Sequence, residues 1–122
     1  MLGDSITHFW GGEPVSGRRT GAAEWDRFFA GRRVVNLGYG WDRTENVLWR
    51  ITHGELDGVS PRVVVVMIGT NNIDINTPDE IAAGIAGICA ELHRRAPSAP
   101  SCCSASSREG PHRMRRAQGS TR

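Results

Sequence analysis

Three short polar stretches hold the side chains best able to do chemistry: Gly3-Asp4-Ser5-Ile6-Thr7, Asn36-Leu37-Gly38-Tyr39-Gly40-Trp41 and Gly69-Thr70-Asn71-Asn72. The first offers a serine hydroxyl, the second a glycine-flanked turn of backbone, and the third an asparagine amide. Acyl transfer needs such a set, a nucleophile beside hydrogen-bond donors for the oxyanion that develops on the carbonyl oxygen. A serine on a strand-to-helix turn brings both its hydroxyl and its own N–H. A glycine-rich turn can present a second N–H, and an asparagine a third donor. The same residues also allow a plainer role, in which Ser5 and Asn71 satisfy backbone groups of their own loops. On spacing alone the plainer role carries more weight.

The elements around these stretches decide whether they can meet. Met1-Leu2 are the only apolar residues before Gly3, short for a buried parallel strand of four to eight residues. After a Gly/Pro/Arg loop from Gly11 to Gly21, Ala22–Ala30 places Trp25, Phe28 and Phe29 at helical spacing, and Gly31 offers a stop. Val34-Val35-Asn36-Leu37 is a short strand candidate running into the glycine turn. Asp42, with Glu45 three residues on, forms a capping-box-like start to a helix whose apolar stripe is Val47, Leu48 and Ile51 and which Gly54 ends. The run Arg62-Val63-Val64-Val65-Val66-Met67-Ile68 is apolar without alternation, the pattern of a strand buried on both faces in a parallel sheet. Thr77, Pro78 and Glu80 then cap a helix that carries Ile81, Ile85, Ile88 and Leu92 on one face and Arg94-Arg95 at its negative end, with Pro97 as the stop.

Strand and helix alternate, which predicts an α/β domain with a parallel sheet. In such sheets the functional loops gather at the carboxyl ends of the strands. The loops bearing Ser5, Gly40-Trp41 and Asn71 each follow a strand, so they are expected to converge on one edge. Beyond Pro97 the pattern stops. Residues 98–122 contain no run of three large apolar residues, and they are expected to form a disordered Arg/Ser/Pro-rich tail after a domain spanning 1–97.

Taken together and in order, the three stretches resemble the nucleophile, glycine and asparagine segments of the GDSL, or SGNH, serine esterases. The texture from Val47-Leu48-Trp49-Arg50 to Gly54-Glu55-Leu56 is most similar to the branch of the Ib-type platelet-activating-factor acetylhydrolase catalytic subunits. The resemblance covers residues 1–97. It implies a flavodoxin-like three-layer α/β/α fold, represented by its first half. It also implies hydrolysis of short acyl or acetyl esters through a serine acyl-enzyme, with no cofactor and no metal. Ser5 matches the nucleophile, and its N–H, that of Trp41 and the Asn71 side chain match the oxyanion hole. Trp41 stands where the family has glycine, and it can donate its N–H there provided the backbone needs no positive φ. Its indole is then expected to narrow or floor the acyl pocket. Gly40 is the alternative donor.

The family takes its general base from a late Asp-x-x-His segment. Only Glu109-Gly-Pro-His112 imitates that spacing here, within the tail, so His112 is a weak candidate and no base is identified. His8 belongs to the Ser5 turn, His53 ends a helix where histidines meet carbonyl groups, and His93 lies at the end of the last helix. Each is expected to be structural or exposed. The interrupted pattern suggests an incomplete or frame-disrupted product, inactive on its own. The rival from another class is a non-catalytic α/β module that binds an acyl or glycan ligand.

Bulk properties remove other classes. The 122 residues suit one small domain, and no apolar run approaches the ~20 residues of a bilayer-spanning helix. Met1-Leu2-Gly3-Asp4 shows no secretory signal, which leaves both a cytoplasmic and a secreted parent open. The net charge of +2 hides a division: residues 1–97 carry 10 arginines against 12 acidic residues, and 98–122 carry five arginines against one glutamate. An Arg-rich tail can attract polyanions, but this one has no aromatics to stack bases, so a nucleic-acid partner is not expected. Asp74 and Asp79 make no metal cluster, and Cys89, Cys102 and Cys103 lack ligand or disulfide-framework spacing, with Cys89 expected to pack as a free thiol. The expected ligand is a small-molecule ester. An oligomer is conceivable, but no interface is legible.

Overall fold

The computed structural model describes residues 1–11 and 17–105. Its elements run β1 (Leu2–Gly3), α1 (Ser5–His8), α2 (Ala22–Phe29), β2 (Leu37–Gly38), α3 (Thr44–Thr52), β3 (Val64–Ile68), a 3-10 turn (Thr70–Asn72), α4 (Pro78–Arg95) and β4 (Ser101–Ala105). The four strands form one sheet in the order β2-β1-β3-β4, and every pairing is parallel. This parallel winding fits the α/β domain expected from the alternation and the flavodoxin-like fold that the family resemblance implies. The chain steps outward from β1 to β2, then crosses back to β3. The loops after β1 and β3 therefore diverge at the point where the winding reverses, and such a crevice is where open α/β sheets receive ligands.

Registered partners in a parallel sheet share a face, so Leu37, Leu2 and Val66 point one way and Gly38, Gly3 and Met67 the other. The first face is the core. Leu2, Val64, Val66 and Ile68 are buried there beneath Val47 and Ile51 of α3 and Ile88 and Leu92 of α4. Burying each such side chain contributes about 1.5–3 kcal/mol. The second face is covered by α1 where the two glycines lie. β3 therefore alternates between buried and half-buried residues and is not sealed on both sides as its composition suggests. Val63, expected within the strand, is 58% exposed just before it.

Local signals placed several ends correctly. Thr77 accepts the Glu80 N–H and Glu80 accepts the Thr77 N–H, completing the α4 capping box with Pro78 in the first turn. Gly31, at φ +76°, follows α2 in the left-handed conformation that stops a helix. Trp25 and Phe29 of α2 pack with Trp10 in a separate aromatic cluster, the Trp10–Trp25 pair edge-to-face at 5.4 Å.

Three expectations are corrected. The α3 start is not capped by Asp42. Arg43 is the capping residue, its N–H donating to Asn46, while Asp42 turns toward Arg50 because an opposite charge outbids an exposed helix end. The segment after Pro97 contributes structure: Ala99 is buried in the core, and β4 pairs with β3 from Val64↔Ser101 to Ile68↔Ala105. A strand bonds through its main chain, so the exposed ladder of β3 accepts a neighbour whose composition gives no strand signal. Residues 106–122 of the expected tail lie outside the described residues. Finally, Cys89 is disulfide-bonded and not a free thiol, a pairing that spacing along the chain does not announce.

Candidate active site at the strand-end rim

Ser5 opens α1 directly after β1. Asp4 caps this turn in an extended conformation, its Oδ1 accepting the Ile6 N–H at 2.9 Å. The turn lies against the second sheet face so closely that only glycine fits beneath it. A Cβ on Gly3 would collide with the Thr7 side chain and the Met67 carbonyl, and one on Gly38 with the His8 backbone nitrogen. Asn36, fully buried, ties the layers together. Its Nδ2 donates to the Thr7 and Gly11 carbonyls at 2.6 Å each, and its Oδ1 accepts the Gly38 N–H at 2.9 Å. The Ser5 turn is thus held by steric fit and by a saturated buried amide.

The second loop runs from Gly38 to Arg43. Gly40 donates its N–H to His8 Nδ1 at 3.3 Å, so that N–H is committed to the imidazole. Trp41 adopts φ +67°, the one positive φ among the described non-glycine residues. The condition attached to Trp41 as an N–H donor, a backbone without positive φ, is therefore not met, and tryptophan holds a conformation that glycine favours at a steric cost. The indole is 85% exposed, so it does not floor a pocket as expected. The Trp41 N–H donates to none of the described groups.

Arg50 secures the far side of this loop. Its Nε donates to Asp42 Oδ2 at 3.0 Å, and Nη2 approaches the same oxygen at 2.8 Å without hydrogen-bond geometry. Nη1 pairs with Glu55, and the guanidinium lies 4.5 Å from the centre of the Tyr39 ring. The third loop, a 3-10 turn entered through Gly69 at φ +119°, carries the two asparagines. Asn71 donates to the Asp42 carbonyl at 2.9 Å, which joins the second and third loops. Asn72 is fully buried. Its Oδ1 accepts the Thr44 N–H at 3.1 Å, capping the first turn of α3 from another loop, and its Nδ2 reaches Thr44 Oγ1, Glu45 and Asn76.

Electrostatics follow burial. Asp4 is pushed above the usual carboxylate range by desolvation, and the charge of Asp42 adds to this, while the Ile6 N–H opposes it. Its Oδ2 is buried without a partner. Glu45 goes the other way. Burial would raise it, but hydrogen bonds from its own N–H, Asn72 and Thr44, with Arg43 nearby, hold it below the usual range. Among the described residues no His/Cys/Asp/Glu group could hold a metal ion, and no helix is long and apolar enough to cross a membrane. An open groove of about 560 Å³ lies between α3 and α4, lined by Leu48, Trp49, Gly87 and Ala90, and includes none of the rim residues.

The loops after β1, β2 and β3 are thus joined by hydrogen bonds at one edge of a parallel sheet, with a serine in the first. Residues 1–121 match the GDSL-like Lipase/Acylhydrolase family. The chain belongs to this family. The match runs through β4 and past the 1–97 limit of the sequence resemblance. Platelet-activating factor acetylhydrolase IB subunit alpha2 of Homo sapiens and of Rattus norvegicus is 43% identical over 75 residues, 62% of this chain and 32% of the relative. The IB subunit beta homolog of Drosophila melanogaster is 39% identical over 75 residues, 62% of this chain and 33% of its own. The matched stretch is thus about a third of the length of these curated relatives.

For a GDSL-like acylhydrolase, the positioning residues here were only partly legible. Asn36 and Asn72 stood within the motifs without an assigned role, and Arg50 and His8 were not read as loop anchors. A buried asparagine satisfying several groups leaves no periodic trace in sequence. The other histidines sit apart from this role. His53 stacks on Trp49 at 4.1 Å and bonds its carbonyl at the end of α3, His93 is exposed in the last turn of α4, and His112 lies outside the described residues.

Proposed function

We propose that the protein of which these residues form the nucleophile-bearing part hydrolyses carboxylic esters of short acyl groups, acetyl esters foremost. Ser5 Oγ attacks the ester carbonyl and forms an acyl-enzyme, the alcohol leaves, and water then releases the acid. The Ser5 N–H, the Trp41 N–H and the Asn71 amide hold the oxyanion, each aimed at charge that grows in the transition state, and the anchored Gly40 and Asp42 on either side hold Trp41 in its positive-φ conformation despite the cost. The observation that carries this reading is the junction of the three loops at the winding reversal of the sheet, with the Trp41 N–H left without a partner among the described residues. The names of the relatives, acetylhydrolases, favour a small acyl group. The general base is assigned to no described residue.

The test is covalent labelling of Ser5 with a fluorophosphonate, run beside p-nitrophenyl acetate hydrolysis, for wild type and Ser5→Ala. The expected result is labelling that the substitution abolishes. Absence of labelling in a folded chain would remove the esterase reading and favour a module that only binds its ligand.

A further inference from the structure

We propose that His8 is the positioning residue of the Gly40–Trp41 loop, and that it works as a neutral imidazole protonated on Nε2. Its part in catalysis rests on the esterase reading above, whereas the contact itself does not. Nδ1 accepts the Gly40 N–H at 3.3 Å. A ring nitrogen facing an N–H carries no proton of its own, which fixes the tautomer.

The geometry makes this contact more than incidental. The nearest heavy atom to a Cβ built on Gly40 is His8 Nδ1 at 3.9 Å, and no other lies within 4 Å apart from those of its chain neighbours. On that side of Gly40, the imidazole is the neighbour among the described residues. The ring itself is confined, stacked on Phe9 at 5.0 Å and tilted against Tyr39 at 6.1 Å. Its backbone is pinned where α1 crosses Gly38, with the His8 N–H bonded to the Asp4 carbonyl at 2.9 Å. His8 thus joins the turn that carries Ser5 to the residue preceding the Trp41 N–H.

Trp41 is held from both sides. Downstream, Asp42 is gripped by Arg50 and its carbonyl by Asn71. Arginine keeps its charge at every accessible pH and asparagine does not titrate, so these anchors are insensitive to protons. His8 is the upstream anchor and can gain one. Protonation puts a hydrogen on Nδ1, donor then faces donor, and the Gly40 bond is lost. The charged and titratable groups around the ring come from several elements. Arg18 lies over Phe9 and Arg50 over Tyr39, and the Met1 ammonium stands at the start of β1. Asp4 stands at the head of α1 and Asp42 beyond the loop, and the Tyr39 ring tilts against the imidazole from the loop itself.

The experiment is NMR on the full chain. Long-range ¹H–¹⁵N spectra of the imidazole report the tautomer, and the Gly40 amide is followed from pH 8 to pH 5. The expected result is an Nε2–H imidazole and a Gly40 amide that shifts in step with His8. In His8→Gln, whose side-chain oxygen accepts at every pH, the Gly40 amide should stay flat. In His8→Leu it should exchange with solvent about fivefold faster at pH 8, the loss expected for one neutral hydrogen bond. An Nδ1–H tautomer in wild type, or a Gly40 amide indifferent to His8 titration, overturns the proposal. Because the wild-type spectra suffice, a variant that fails to fold does not rescue it. Failure of Ser5 labelling with these shifts intact would instead remove the esterase reading and leave the His8 contact standing.

Discussion

Replacing Trp41 by glycine should make the chain more stable, although it deletes the largest side chain on the rim. Trp41 sits at φ +67° between two anchored neighbours, Gly40 bonded to His8 and Asp42 to Arg50, so the backbone cannot relax to a negative φ without breaking one of them. A left-handed conformation costs an L-residue roughly 1–2 kcal/mol. Glycine escapes that cost but loses about 0.5–1 kcal/mol through the freedom of its unfolded chain. The indole offsets little, because it is 85% exposed and buries almost no surface. The net expectation is a gain of about 0.5–1 kcal/mol for Trp41→Gly, a few degrees in Tm for a domain of this size. Trp41→Ala is the control, since it removes the indole and keeps the strained φ, and it should fall near wild type. Differential scanning calorimetry and urea denaturation of the three proteins measure the differences. Equal stability of the glycine and alanine variants, or a destabilised glycine variant, would refute the reasoning, because the positive φ would then carry no cost.

Two further substitutions test the supports of the site. Asn72→Ala strips the partner from the buried Thr44 N–H and breaks the link to Asn76, so urea denaturation should show a loss of about 1–3 kcal/mol; a loss below about 0.5 kcal/mol, the level of an ordinary surface change, would show that the clip is dispensable. Asp4 tests the electrostatics. Burial raises its carboxyl, so the folded chain holds a proton there that the unfolded chain has released. Stability from this group is full below the ordinary carboxylate value of about 3.9 and is lost as pH rises through the raised value. Asp4→Asn is neutral throughout and can still accept the Ile6 N–H. It should therefore melt above wild type at pH 7 and lose that advantage near pH 3, and an advantage equal at both pH values would contradict the assignment.

Elements with strong local causes are legible in the amino-acid sequence. Thr77, Pro78 and Glu80 announced the start of α4 because a capping box is made within four residues, and Gly31 marked the end of α2 because a left-handed stop needs no distant partner. The apolar run around Val64–Ile68 declared a strand of a parallel sheet, and the three polar stretches, in order after three strands, resemble the segments of the family to which the chain belongs. Features that depend on a partner elsewhere in the chain emerge only once the elements pack together. Asp42 has the local look of a helix cap, yet Arg50, a turn and more away, draws its carboxylate. β4 lacks strand composition, yet the open main-chain ladder of β3 pairs with it. Asn36, in a strand candidate, and Asn72, in a polar loop, carry no evident role until burial shows each saturating groups from separate elements. The same division runs through the site. The Ser5 motif and its two companion loops were legible because each is a local turn. The positive φ at Trp41 and the grip of His8 on Gly40 were not, because both arise only when α1 is pressed onto the sheet and the loop is drawn across it.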